Sequence, residues 1–314
     1  IMNYTYFYKH NYQQVAELKK LPTYDIFISS YVNSERVREQ AETIQASKKI
    51  WFVTDDEVDL YLAGKDIVKL KPNEDYDPIL NKFHQLQIKG KSICIDATGF
   101  KIPYLMFVMR CMSMFCVNKF DMIYTEPTQY RCAENTQFTD HFYDVKLMYG
   151  MSGVHTSKDE NDLLIIAAGY DHSRIMDIAS KKKDCNKILL FGFPSISPGM
   201  FQENILRAYK AVASIGTDCF KNMDYNIYAP AYDPFVTAQS INEYISKHQK
   251  QNPYTNIYLA PLSTKPHAIG MALYFLWENK NLQNISLIYP YCQQYITDNS
   301  DGIARIWRYE IEIP

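Results

Sequence analysis

Short apolar runs in this chain repeatedly break into small polar loops, and each loop opens a helix-like stretch. The clearest cases are Ile93–Ile95 before Asp96–Gly99, Leu163–Ala168 before Gly169–Asp171, and Ile257–Ala260 before Pro261–Pro266. Strands that alternate with helices pack as a parallel sheet covered by helices, so this pattern constrains the fold more than any other feature. It also gathers helix N-termini at the carboxyl ends of the strands, where anions bind.

The predicted strands are apolar runs bounded by turn-forming residues. They are Asp25–Ser29, Ile50–Thr54, Ile67–Leu70, Ile93–Ala97, Met122–Thr125, Leu163–Ala168, Ile188–Gly192, Tyr225–Ala229, Ile257–Ala260, Ile285–Tyr289 and Ala304–Ile311. The alternating tyrosines Tyr4, Tyr6 and Tyr8 indicate a further strand-like opening. Helix starts are predicted at capping residues followed by helical patterns, namely Asn33-Ser34, Asp171, Ser197-Pro198, Asp233-Pro234 and Thr264-Lys265-Pro266.

The strands fall into two groups, which predicts a Rossmann-like α/β protein with mostly parallel sheets flanked by helices in two lobes. A polar and aromatic stretch around residue 150 separates the groups, so residues 1–150 and 151–314 are the expected lobes. A short, turn-rich link precedes the last strand, Ala304–Ile311, which is therefore expected to be an antiparallel edge strand beside Ile285–Tyr289. No internal repeat at a fixed period is evident.

Composition excludes several function classes. With 33 basic and 35 acidic residues the formal charge is −2, so direct binding to nucleic acid or to an anionic membrane is not expected. The seven cysteines contain no CxxC pair and lie mostly in apolar runs, which is typical of reduced core thiols in a cytoplasmic protein. No run is long enough to span a membrane.

Known catalytic and cofactor motifs are absent from the sequence. The chain has no G-x-G-x-x-G, no P-loop and no G-x-S-x-G elbow, and its histidines lack metal-ligand spacing. A metal site is therefore not predicted, and no cofactor is assigned. His172 and His267 lie in the first turns of helices, where a solvent-facing or hydrogen-bonded histidine is the simpler interpretation.

The loops that follow the strands remain as the candidate binding site. Ser263, Thr264 and Lys265 offer hydroxyls, helix-start amides and an ammonium, which are the groups that a phosphate needs. His172 and Arg174 would add donors from the neighbouring crossover, and Thr98 with Gly99 would add donors from the first lobe. Capping of the helix alone is the alternative interpretation of the Thr264 loop.

Asn256–Ala272 resembles the strand, Ser-Thr-Lys loop and small-residue helix of CARF-type sensor domains, which are Rossmann-like modules of prokaryotic defence systems. The resemblance covers about one βα unit. It implies that Ser263, Thr264 and Lys265 line a pocket for a nucleotide-like ligand, and that the chain forms a homodimer or pairs with a partner protein.

Tyr24–Tyr31 is similar to the first strand of TIR domains, several of which cleave NAD. The resemblance implies that Glu35 could serve such chemistry. The second hypothesis is accordingly an enzyme that cleaves a nucleotide N-glycosidic or phosphate bond, with Glu35, Glu126 or Asp96 as the acid/base carboxylate. The first hypothesis is nevertheless a sensor that binds a nucleotide or phosphorylated small molecule. The resemblance to CARF-type domains implies that this sensor acts in antiviral defence. A third hypothesis, suggested by the 26 tyrosines, is an interaction scaffold in a multiprotein complex.

Overall fold

The computed structural model describes residues 2–54, 59–71, 75–130, 142–292 and 300–314. Contacts within the chain divide it into two compact units. Unit 1 comprises Ile1–Tyr6 and Thr136–Ile296, and unit 2 comprises Phe7–Asn135 and Thr297–Pro314.

The described strands, in chain order, are β1 (Lys9–Tyr12), β2 (Tyr24–Ser30), β3 (Ala46–Val53), β4 (Asp66–Lys69), β5 (Ile93–Asp96), β6 (Lys119–Glu126), β7 (Gln129–Tyr130), β8 (Phe142–Leu147), β9 (Leu163–Ala167), β10 (Asn186–Gly192), β11 (Asn226–Ala229), β12 (Ile257–Pro261), β13 (Ile285–Cys292), β14 (Ser300–Asp301) and β15 (Arg305–Glu312).

The described α-helices are α1 (Glu35–Thr43), α2 (Asp77–Leu86), α3 (Ile102–Met114), α4 (His172–Lys181), α5 (Met200–Lys210), α6 (Val212–Ile215), α7 (Asp218–Lys221), α8 (Pro234–Gln249) and α9 (Lys265–Leu282). Short 3₁₀ helices include Tyr4–Tyr6, Val15–Lys20, Leu60–Leu62 and Met223–Tyr225.

Unit 2 contains a seven-stranded sheet in the order β1-β15-β6-β5-β2-β3-β4. The strands from β6 to β4 run parallel, and β15 is antiparallel to both β6 and β1. All four residues of β5 are buried, as expected for an inner strand of a sheet covered on both faces.

Unit 1 contains a six-stranded sheet in the order β11-β10-β9-β12-β13-β8. Five of these strands run parallel, and β8 is antiparallel to β13 at one edge. Helix α9 is buried from Pro266 to Leu276 because it packs against β12 and β13 of the sheet and against α8. The N-terminal Tyr4 belongs to this unit, where its hydroxyl donates to Glu278 at 3.0 Å.

The predicted fold class is confirmed: two mostly parallel sheets flanked by helices carry antiparallel strands at their edges. Each predicted strand overlaps an observed one. Two local predictions are wrong. Tyr4–Tyr6 is a 3₁₀ helix and not part of a strand, and α5 begins at Met200 after Gly199 (φ +84°) and not at a Ser197 cap.

The neighbours of the last strand differ from those predicted. β15 is antiparallel, but it lies between β1 and β6 in the sheet of unit 2 and does not pair with β13. Its eight residues pair in continuous register with β6, from Arg305 opposite Glu126 to Glu312 opposite Lys119. The two units consequently do not correspond to a single division of the chain at residue 150, because the C-terminal strand returns to the sheet of the earlier segment.

Cys94, Cys111, Cys185 and Cys219 are buried free thiols, while Cys116 is a free thiol on the surface. Cys132 lies outside the described residues. Burial raises the pKa of Cys111 to about 12, which leaves the thiol protonated and inert at neutral pH. No helix in the described ranges combines the length and apolar character needed to cross a bilayer.

Candidate functional site

The candidate residues of unit 1 lie at the point in its sheet where successive strands stop being added on one side of β9 and begin to be added on the other. β9 and β12 lie side by side and run parallel, with Leu163 opposite Ile257 and Ala167 opposite Pro261. The chain leaves β9 toward β10 on one side and leaves β12 toward β13 on the other. The loops after β9 and β12 therefore flank a topological switch point, the usual ligand position in an open α/β sheet.

The two loops at this switch point approach each other closely. A Cβ atom on Gly169 would lie 2.1 Å from the carbonyl oxygen of Leu262, a distance that atoms do not reach. Only glycine fits at position 169 without moving the Leu262 backbone. The loops are thus held together at the base of the site by a backbone contact.

The loop after β9 ends at Asp171, which caps α4 by accepting a hydrogen bond from the Ser173 amide at 3.2 Å. Arg174 follows in the first turn and is 8% exposed. The Arg174 guanidinium carbon lies 4.6 Å from the centroid of the Tyr289 ring, within cation–π range. Burial raises the pKa of Asp177. The charge of Asp171 adds to this rise, and the charge of Arg174 opposes it.

The loop after β12 ends at Thr264, the N-cap of α9. The Thr264 hydroxyl accepts from the His267 amide at 3.4 Å and donates to the Ala231 carbonyl at 2.6 Å. The Thr264 hydroxyl thus both donates and accepts a hydrogen bond within the protein, which is what the capping interpretation expects. Ser263 and Lys265 are partly exposed beside it.

His267 is structural in this unit. Its side chain is fully buried, with Nε2 3.3 Å from the Ala229 carbonyl oxygen. Burial lowers the pKa of His267 to about 4, so the ring is neutral at pH 7. His172, by contrast, is partly exposed at the first position of α4.

Sequence reasoning missed two aromatic–cation pairs near the switch point. In the first pair, Tyr289 on β13 lies beside Arg174. In the second, the Arg207 guanidinium carbon lies 5.9 Å from the centroid of the Tyr170 ring. Arg207 is 7% exposed and also forms an ion pair with Glu203, at 3.0 Å. The i,i+4 spacing of Glu203 and Arg207 is visible in the sequence, but it does not reveal that Tyr170 is nearby.

Thr98, Gly99 and Asp96 belong to the corresponding switch point of unit 2, where β5 lies beside β2. Asp96 is fully buried and accepts from Ser29 Oγ at 3.1 Å and from the Thr98 amide at 3.0 Å. Thr98 Oγ1 accepts from the Thr125 amide at 3.1 Å. These bonds tie the ends of β2, β5 and β6 together.

Gly99 repeats the close approach seen at Gly169, because a Cβ atom there would lie 2.0 Å from the Ser30 carbonyl oxygen. The candidate residues thus form one group in each unit. Thr98 and Gly99 stand at the switch point of unit 2, and His172, Arg174, Ser263, Thr264 and Lys265 stand at that of unit 1.

The three candidate acid/base carboxylates have different surroundings. Glu35 is exposed at the first position of α1. Glu126 is 1% exposed, accepts from Trp307 Nε1 at 2.7 Å and lies 3.4 Å from Arg305 Nε. Burial raises the pKa of Glu126, and the contacts with Trp307 and Arg305 oppose that rise. Glu126 joins β6 to β15, whereas Asp96 joins β5 to β2.

Within the described ranges, no three His, Cys, Asp or Glu side chains converge to form a possible metal site. No protein-family model matches the chain, and no curated protein matches it.

Proposed function

We propose that unit 1 binds a nucleotide or another phosphorylated small molecule at the carboxyl ends of β9 and β12. The observation that carries the proposal is the strand order, which opens α4 and α9 on either side of one switch point. Each helix start directs the positive end of its dipole toward that point, while Asp171 and Thr264 cap the Ser173 and His267 amides. An anionic group bound there would be stabilised by both helices.

Two cationic side chains add to this field. Arg174 stands in the first turn of α4, and Lys265 is the first residue of α9. Charge-assisted hydrogen bonds from such groups to phosphate are stronger than neutral ones. Tyr170 and Tyr289 are themselves buried and lie beside the Arg207 and Arg174 guanidinium groups. The resemblance of Asn256–Ala272 to CARF-type domains supports the same ligand class.

The sensor hypothesis predicts that the ligand stays intact and raises the stability of the protein, since a ligand that binds only the folded state stabilises it. We would measure melting temperatures with inorganic phosphate, AMP, ATP, NAD and cyclic dinucleotides, and then determine by chromatography whether each compound was recovered unchanged. Affinities for compounds that shift the melting temperature would follow from calorimetry.

Lys265→Gln tests the assigned position. We expect it to weaken binding by about ten-fold, as for the loss of one charged contact to phosphate. The matched control is Lys280→Gln, which removes an equal charge from the exposed last turn of the same helix. Equal affinities in wild type and in both variants would contradict the assigned site.

An enzymatic function is the second candidate, and the observation that favours it is the buried Glu126 with its raised pKa. A carboxyl group that retains its proton nearer to neutral pH is suited to general acid catalysis. Consumption of NAD or a nucleoside by wild type, lost in Glu126→Gln but retained in Glu35→Gln, would support this candidate over the sensor.

A further inference from the structure

Three aromatic rings form a compact box in unit 2. Tyr31 follows β2, Trp51 lies in β3, and Tyr61 lies in the 3₁₀ helix Leu60–Leu62. The rings of Tyr31 and Tyr61 are stacked with centroids 5.6 Å apart. Trp51 is edge-on to both, at 5.9 Å from Tyr31 and 5.7 Å from Tyr61. We refer to these three residues as the aromatic box.

The aromatic box holds an ammonium group from the same chain. Lys65 Nζ lies 2.9 Å from the centroid of the Tyr61 ring and 5.3 Å from that of Trp51. A cation in this position is attracted by the negative faces of the rings. The Arg38 guanidinium carbon lies 5.9 Å from the Tyr61 centroid, so this ring attracts a second cation.

Carboxylates complete a cation-binding environment around the box. Asp59 accepts hydrogen bonds from the Tyr31 hydroxyl and, at 2.9 Å, from the Tyr61 amide. Burial raises the pKa of Tyr61 to about 12, and a hydrogen bond to Glu42 adds to the rise. Burial lowers the pKa of Lys65, whereas the charges of Glu42 and Asp59 favour its protonated form. On balance the pKa of Lys65 is lowered, so the ammonium held here is partly dehydrated.

The turn that carries Lys65 is anchored in the core by Leu62, which is 3% exposed, but the residues around Leu62 reach the surface. Ala63 and Gly64 are exposed, Leu60 is 90% exposed, and a Cβ atom on Gly64 would meet nothing within 4 Å. Trp51 and Tyr31, in contrast, are 1% and 8% exposed, which fixes two walls of the box in the core. The Lys65 side chain is partly exposed, so it can turn toward water while the walls of the box stay in place.

We propose that the aromatic box is a binding site for an organic ammonium ion, and that Lys65 is an internal occupant which the ligand displaces. Methylated or quaternary ammonium is the expected class. Ring faces accept no strong hydrogen bonds, so a cation that carries few N–H donors and is weakly hydrated loses least on entering. This site is independent of the phosphate site proposed for unit 1.

Lys65→Ala tests the proposal because it empties the box and leaves its walls unchanged. Tetramethylammonium, titrated at constant ionic strength against sodium, should then give a saturable change in tryptophan fluorescence. We expect an affinity at least about ten-fold higher than in wild type, where Lys65 competes. Lys65→Met, which refills the box without a charge, should bind no better than wild type.

Tyr61→Leu in the Lys65→Ala background removes one wall and should abolish the response. The proposal is overturned if folded Lys65→Ala shows no saturable response, or if removal of Tyr61 leaves the response unchanged. Should Lys65→Ala fail to fold, wild type decides the matter. Tetramethylammonium at high concentration must then change the fluorescence of wild type but not of Trp51→Phe, and equal behaviour of the two would refute the site.

Discussion

At the scale of single residues, the core of this protein contains ionisable groups whose charge state is set by burial. His267 is enclosed below the loops that follow β10 and β11: a Cβ atom on Gly192 would lie 3.3 Å from His267 Cε1. Its ring is neutral because a charge there would be removed from water. His267, two residues after the phosphate-binding candidate Lys265, is thus a determinant of stability.

We predict that His267 makes the protein less stable in mild acid. Its pKa is about 4 in the folded protein and 6.5 when the ring is exposed to water, so between these values the unfolded chain binds the proton and the folded chain does not. Stability is therefore complete above about pH 6.5 and declines as the pH falls toward 4, by about 2 kcal/mol at pH 5. Urea unfolding at pH 7 and pH 5 measures the decline.

His267→Gln should flatten this dependence by removing the titrating group, even if the variant is less stable at pH 7. His172→Gln, at the partly exposed start of α4, is the control and should retain the wild-type slope. An identical slope in His267→Gln and wild type would contradict the assignment.

The candidate site was predictable from single residues only in part. Ser263, Thr264, Lys265, Thr98 and Gly99 were predicted because the carboxyl ends of parallel strands bring their loops to one edge. The partners Tyr289 and Arg207 were not predicted, because their positions depend on strand order and helix packing that no local pattern specifies.

At the scale of elements, each sheet has one glycine where the two central loops meet. Gly169 follows the first parallel strand of unit 1, and Gly99 follows the fourth of unit 2. In each case the opposing atom is a backbone carbonyl oxygen, belonging to Leu262 or Ser30, which cannot rotate away as a side chain would. Small size is therefore required at both positions.

We predict that Gly169→Ala destabilises the protein by about 2 to 3 kcal/mol, because the new methyl group displaces the Leu262 backbone. Gly64→Ala is the matched control. Gly64 has φ +73° and open space around it, so alanine there should cost only about 1 kcal/mol from backbone strain. Thermal unfolding of both variants gives the comparison, and an equal cost would refute the steric argument.

Elements with strong periodicity were predicted correctly, and elements fixed by distant contacts were not. The runs at Leu163–Ala167 and Ile257–Pro261 are continuously buried, so composition alone identifies them as inner strands. Tyr4–Tyr6 alternates like a strand, yet it forms a 3₁₀ helix whose Tyr4 is hydrogen-bonded to Gln239 and Glu278. Those partners lie far away in the sequence.

At the scale of the whole molecule, the two sheets share one strand order although the sequence shows no repeat. In each, the five parallel strands follow the order third, second, first, fourth, fifth, and an antiparallel strand lies beside the fifth. The strand added beside β13 is β8, which follows β6 in the chain, and the strand added beside β6 is β15, which follows β13. Each sheet thus gains an antiparallel strand that comes after the fifth strand of the other sheet in the chain. No local window of sequence reveals this exchange of strands.

We predict that the attachment of β15 depends on a buried ion pair. Arg308 Nε lies 2.9 Å from Asp121 Oδ2 on β6, and the Tyr24 hydroxyl donates to the same carboxylate oxygen. Arg308→Gln would leave Asp121 without its cation, and we expect a loss of about 2 to 3 kcal/mol in urea unfolding. Lys119→Gln, whose ammonium is 61% exposed beside Glu310 and Glu312, should change stability by less than about 0.5 kcal/mol. Equal losses would show that the buried pair is not decisive.

The position of β15 also has a consequence for how a ribosome delivers this chain. The strand that pairs with β6 is synthesised only after all the strands of unit 1, so β6 emerges with an open edge and keeps it until Arg305–Glu312 has left the exit tunnel. At ordinary rates of translation this interval lasts on the order of ten seconds or more. A nascent chain with an unpaired β-edge is prone to aggregate, so recovery of native protein should improve when chaperones shield it during synthesis.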